Sequence, residues 1–276
     1  METVASFVLL VGVPNVEASK TALSKALGND AENKYVGPLE TPVGEAQGSS
    51  ASAASARAIL AYPTSEDSYE GAVNKNGKPH GKGVLKYDDG RIYDGEWVNG
   101  KEHGTGTLTK PDGSTYKGDW VKGKKHGTGI LTTADGSTDK GDWVNGKRQG
   151  KGEQTYKDGY LFWYTGCWLE DRWHGWGILR LKDGSTYAGY FDHGLKEGNG
   201  MLMYRDGKYD GDFKADKRDG RGKMEYCDGT IYDGSWKDDK RNGYGRLIRR
   251  EEDGRVCVLH AGLWKDDEPI TDRKEQ

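Results

Sequence analysis

Long apolar runs are missing from this sequence. No stretch of 18 apolar residues occurs in its 276 positions, so none reads as a membrane-spanning helix. Apolar residues make up only 33% of the chain, which argues against an ordinary globule. The segment Ser6–Val13 is apolar, but it lacks the preceding positive charge of a secretory signal. Cysteine is scarce: Cys167, Cys227 and Cys257 are too few and too far apart for a disulfide framework or a zinc site. Their odd number favours a reducing compartment. No charge of one sign dominates either. The formal net charge of −3 gives no general attraction to nucleic acid, which is not expected as a partner.

What is plentiful is glycine, with 43 residues, alongside 16 Tyr and 9 Trp. Glycine is thus about one residue in six, against an average near 7%. Together these suggest short strands and tight turns, with large rings packing over bare backbone.

The glycines and aromatics repeat. Y-x-G-x-W recurs at Tyr93-Gly95-Trp97, Tyr116-Gly118-Trp120 and Tyr164-Gly166-Trp168. At Tyr187-Gly189-Phe191 and Tyr209-Gly211-Phe213 phenylalanine ends the motif, and Tyr232-Gly234-Trp236 restores it. In one copy Asp139 replaces the tyrosine, before Gly141 and Trp143. An earlier copy is Tyr69-Gly71-Val73, and a degraded last one is His260-Gly262-Trp264. From Tyr93 the steps are 23, 23, 25, 23, 22 and 23 residues. The copies lead into a second element of the form H-G-x-G-x-L, as at His103–Leu108, with the histidine present in four of them, and then in most cases into an Asp-Gly pair. In a strand, alternate residues share a face, so Tyr116, Gly118 and Trp120 point one way while Lys117 and Asp119 point the other. The segment Gly123-Lys124-Lys125 is a hairpin connection, and Asp-Gly turns the chain at the other end. A unit this small cannot bury its own aromatics, so stability must come from stacked neighbours. The expected fold is all-β, an elongated antiparallel meander.

The pattern Y-x-G-x-W-x-x-G-x-x-H-G-x-G resembles the MORN (membrane occupation and recognition nexus) repeat, in eight or so copies from about Tyr69 to Trp264. The resemblance implies a twisted single sheet of stacked hairpins over residues 64–266. It leaves a separate N-terminal extension, 1–63, and a polar tail, 267–276. The extension contains a short strand–helix pattern in Ser6–Leu27 and a low-complexity linker, Gly48–Ala58.

Several motifs imitate chemistry. G-x-x-x-x-G-K at Gly118-Gly123-Lys124 looks like a phosphate loop, yet it recurs at Gly95 and Gly141 and lacks the following Ser or Thr. Its first glycine falls in mid-strand, so it belongs to the repeat. Val8–Leu27 echoes the same loop with the wrong spacing. His80, His103, His126 and His174 share one repeat position, but equivalent positions lie two strands apart, roughly 9–10 Å, too far for one metal ion. No catalytic residue, cofactor or metal is expected.

Two surfaces remain as candidates. The early hairpin tips are basic, and Lys124, Lys125, Lys147 and Arg148 could contact an anionic surface such as lipid, or simply form a solvated edge. Between residues 156 and 176, eight of 21 residues are aromatic, where the period stretches to 25. Phe162, Trp163, Trp173 and Trp176 are candidates for binding a partner protein, with local repacking around a bulge as the alternative. The stretch Ser68–Gly83 running into Tyr93–Trp97 resembles radial-spoke-head proteins of cilia and flagella. That resemblance implies a non-enzymatic scaffold among other protein subunits, cytoplasmic and cytoskeletal, with self-association as a further option. A membrane tether or cytoskeletal organiser is the alternative.

Overall fold

The computed structural model describes residues 56–62, 65–251 and 254–271, which form nineteen β-strands and no helix. Ser6–Leu27, most of the Gly48–Ala58 linker and the end of the 267–276 tail lie outside the described residues. Each strand pairs antiparallel with the next, from β1 (Ala56–Ala61) to β19 (Glu268–Pro269), in one open sheet. The all-β single sheet expected from the repeat is what the described residues adopt. At its start the sheet extends beyond the repeat: β1 pairs with β2 (Ser68–Val73) although it falls within the expected extension 1–63. Its ARAILA sequence carries no repeat signature, which hid it.

One hairpin shows why these residues build a sheet with a core but no second layer. Tyr209 lies in β14 (Gly207–Lys214), which pairs with β15 (Lys217–Tyr226) so that Gly211 faces Gly222. The Tyr209 ring, 0% exposed, lies over both glycines. A Cβ on Gly222 would come within 2.2 Å of the Tyr209 hydroxyl. That hydroxyl donates to the Asp212 carbonyl at 3.0 Å. From the next hairpin, on β16 (Thr230–Lys237), Trp236 meets Tyr209 edge-on at 5.4 Å. The Trp236 Nε1 donates to the Gly222 carbonyl at 3.0 Å. The same unit recurs along the chain, and seven tyrosines are fully buried. Alternating Tyr and Trp or Phe rings thus form a spine of T-shaped pairs, each worth roughly 0.5–1.5 kcal/mol beyond its area. Cations roof it: Arg218 sits 4.3 Å over Trp236 and Arg241 4.2 Å over Trp264. The degraded last copy also works, since His260 takes the tyrosine's place beside Trp264 at 5.0 Å.

The spine breaks once. In β8 (Thr138–Val144) Asp139 stands where a tyrosine belongs, and opposite it in β9 (Lys147–Thr155) Gln154 replaces leucine. The buried aromatics accordingly fall into two clusters, one ending at Trp143 and one beginning at Tyr164. The gap is filled by charge. Arg148 bonds Asp139 at 2.9 Å and lies 3.9 Å over Trp168.

The turns explain a second sequence signal. At the tips both turn residues have positive φ, as at Asn99 (51°) and Gly100 (83°), the twist a two-residue hairpin needs. Later tips place aspartate there, as at Asp239 (69°), whose carboxylate accepts from Arg218 N at 3.0 Å and Nε at 3.1 Å. Each such tip is therefore bonded to its neighbour. At the opposite ends Asp135 accepts from the Thr133 hydroxyl and from the Ser137 N–H and hydroxyl. Those bonds, the Thr133 hydroxyl first, hold its carboxyl near pH 2, below the ordinary 3.8. A depressed carboxyl stabilises the fold above 3.8, and that contribution is lost as pH falls through about 2. Asp112, Asp183 and Asp228 are lowered for a similar reason, a backbone N–H two residues on. Denaturant titrations should therefore show stability falling from about pH 4 to pH 2, with a shallower slope in Asp135→Asn. An unchanged slope would remove this turn from the acid response.

Candidate functional site

The two faces of the sheet differ in what they offer. The spine face is closed by its own rings and cations. On the other face, register aligns the residues between Tyr and Gly, with their partners on the return strands, into a row running from Glu70 to Ala261. Its early members are Thr107, Lys117, Ile130, Lys140 and Glu153. Its later ones are Asp210, Lys223 and Asp233. Between them it reads Thr165, Ile178, Ala188 and Met201, on β10 (Leu161–Leu169), β11 (Arg172–Leu181), β12 (Thr186–Asp192) and β13 (Leu195–Tyr204). Ile178, Ala188 and Met201 are buried.

A neighbouring row changes in the same place. Elsewhere the residue before the motif tryptophan or phenylalanine is often a carboxylate that satisfies a bulged return strand. Asp119 accepts from Thr128 N at 2.8 Å, and Asp212 from Arg221 N at 2.9 Å. In β10 and β12 this residue is Cys167 or Tyr190, and Tyr190 faces Trp176 directly across the pair. Trp176 is half-buried and Tyr190 is 37% exposed. The early strands instead line a groove of about 840 Å³ that carries charges of both signs, with Asp94, Glu96, Lys117, Asp119, Lys140 and Asp142 among them.

The four aromatic candidates take different places. Trp163 is 6% exposed and donates to Glu153 at 2.8 Å. Trp173 is on the spine face, stacked on Tyr164 at 4.8 Å, where other repeats carry a roofing cation. Phe162 sits at the bulge, with Arg180 at 5.7 Å from its ring centre. Trp176 shares the open face with Tyr190 and is more exposed there than Trp163, which lies on the same face but is enclosed. Substituting Trp163 or Trp173 therefore disturbs packing, and a test of binding falls on Trp176. Tyr190, Ile178 and Met201 were not singled out in the sequence because they stand at variable positions. Aligning the copies by register, so that a whole row turns apolar at once, is the signal that finds them.

The basic candidates lie at the tips of two adjacent hairpins. Lys124 is exposed. Lys125 lies 4.8 Å over Tyr116 and 4.7 Å over Trp143, and burial lowers its pKa. Lys147 pairs with Glu170 at 2.9 Å. Arg148 is engaged by Asp139, by Asp171 at 3.3 Å and by the Trp168 ring. Three of the four thus already have partners within the chain. The phosphate-loop imitation resolves as the repeat requires, with Gly118 inside β6 (Thr115–Val121) and Gly123 in the turn before β7 (Lys124–Thr132).

The sequence profile described as MORN repeat matches residues 69–90, 93–115, 116–138, 140–159, 164–186, 187–208, 209–231 and 232–251. No curated protein matches the chain. Among solved structures, the wild-type TCP10 domain of Danio rerio CPAP aligns at 16% identity and a TM-score of 0.35, covering 74% of this chain and all of that one. The Drosophila melanogaster SAS-4 (dCPAP) TCP domain, solved with a proline-rich motif of Ana2 (dSTIL), aligns at 16% identity and a TM-score of 0.34, covering 56% and 83%. At such low scores the likeness carries no functional content.

Proposed function

Because this chain belongs to the MORN-repeat family, we propose that it is a non-enzymatic scaffold whose open sheet face holds another protein subunit. One observation carries this reading: a row that is polar over most of the sheet turns apolar in three consecutive strands, at Ile178, Ala188 and Met201 of β11–β13, beside Trp176 and Tyr190. Aromatic anchors on a rigid face are what partner proteins use as hot spots. Resemblance of the Ser68–Gly83 stretch to radial-spoke-head proteins extends the proposal to a cytoskeletal assembly, the ciliary or flagellar axoneme. The lipid-tether alternative has less support, since Lys125, Lys147 and Arg148 are engaged internally.

Tagged full chain, expressed in ciliated cells, should localise to the axoneme and be captured with a stable set of subunits. Trp176→Ala should lower affinity for the direct partner about 30-fold or more, the size of a 2 kcal/mol hot spot. Its unfolding curve should stay close to that of the wild type. If every partner stays bound to Trp176→Ala, the open-face site is wrong. Salt-sensitive sedimentation with anionic liposomes in place of subunit capture would favour the tether.

A further inference from the structure

The repeat supplies its own controls for an unusual cluster at one edge of the sheet. The register pairs the glycine after the motif histidine with the next copy's tryptophan or phenylalanine, so one step further along the strands the histidine comes opposite the residue that follows that ring. For His80, His103 and His126 that residue is Val98, Val121 or Val144. For His174 it is Asp192, and the next residue is His193, where earlier copies have Asn99, Lys122 or Asn145. Two departures from the repeat therefore coincide, and each adds a metal-ligating side chain beside a histidine already present.

The geometry suits one ion. Asp192 Oδ1 lies 3.2 Å from His174 Nδ1 and 2.6 Å from His193 Nδ1. All three ligand atoms fall within 4.8 Å of one another. Zinc takes nitrogen and carboxylate oxygen at about 2.0–2.2 Å, which places two ligands on one ion up to about 4 Å apart, so a small closure suffices. His174 Nδ1 is shut from solvent and makes no hydrogen bond, despite its distance to Asp192. His80 and His126 share that unpaired nitrogen, but the register sets valine against them. The three side chains are 33%, 54% and 58% exposed, leaving room for water to complete the coordination. The turn also fixes the donor: His193 has φ 49°, close to the 51° of Asn99 and Asn145 at the same tip position.

We propose that His174, Asp192 and His193 form a binding site for a divalent transition-metal ion of the zinc class. Two imidazoles and one carboxylate match that class, whereas magnesium and calcium prefer oxygen throughout. The ion would pin the tips of two successive hairpins together.

The test uses full-length chain without a polyhistidine tag, stripped with chelator. Calorimetry with Zn2+ should give one ion per chain, and Co2+ should give a visible d–d absorption band. The double substitution Asp192→Val with His193→Asn restores the residues found at Val144 and Asn145, so it should fold. It should weaken Zn2+ binding at least about 10–100-fold and abolish the cobalt band. His174→Gln, which copies Gln149 of the repeat, should do the same. Zn2+ should raise Tm in the wild type alone. Failure of the wild type to bind, or retention of one ion in the double variant, overturns the proposal.

Discussion

Gly222→Ala should destabilise the protein by about 3–5 kcal/mol, read from the midpoint of urea unfolding. The added Cβ would sit 2.2 Å from Tyr209 Oη and 2.4 Å from Cζ, so the ring must leave its seat. Leaving forfeits the burial of a whole aromatic side chain, its bond to the Asp212 carbonyl and its T-shaped contacts with Phe213 and Trp236. The proper control is Gly113→Ala. That glycine has φ 84° but open space around it, so alanine there suffers only left-handed strain, about 1–2 kcal/mol. Tyr209→Phe removes the nearest atom of the clash together with one hydrogen bond, and alone should cost about 1 kcal/mol. Combined with Gly222→Ala it should cost less than the sum, because both changes act on one contact. A Gly222→Ala protein as stable as Gly113→Ala would mean that the rings do not need bare backbone beneath them.

Arg148→Ala should cost about 3 kcal/mol and divide unfolding into two steps. Arg148 and Asp139 are only 21% and 12% exposed, so removing one leaves a largely desolvated charge unpaired. The substitution also removes the cation over Trp168 and the bond from Arg148 Nη2 to the Asp171 carbonyl at 3.0 Å. Those contacts bridge the one place where the aromatic spine is interrupted. In a stack stabilised by nearest neighbours, the weakest interface decides whether the array unfolds as one unit. Arg218→Ala is the control, since Arg218 makes equivalent contacts with Trp236 and Asp239 inside an unbroken spine. It should lower stability without splitting the transition. Single transitions of equal steepness in both variants would show that the charged junction is not a boundary. Asp139 also titrates in the opposite sense to the turn aspartates. Burial raises its pKa despite Arg148, so its contribution weakens as pH rises through its titration.

The repeat was legible because it is local. Tyr, Gly and Trp at alternate positions specify a strand face, and Asp-Gly or Asn-Gly specifies a turn, within windows of a few residues. Seven tyrosines buried along one face follow from that pattern. Even the weak copy at His260 and Trp264 could be found by period. Asp139 was visible as an irregularity, but not that Arg148 and Gln154 answer it, because that depends on pairing between strands.

The sequence by itself determined the all-β fold, the hairpin unit and the non-random role of glycine, since each depends on spacing along the chain. Only the tertiary structure decided which side chains are available. It enclosed Trp163, stacked Trp173 on the spine and left Trp176 facing Tyr190, although all three tryptophans look alike in sequence. It also brought His174 to Asp192 and His193, 18 and 19 positions away, while keeping the four motif histidines apart. The physical reason is the same in each case. Alternation says which face a residue takes, but strand register and bulges decide its neighbours, and those are fixed by closing ladder bonds between distant segments.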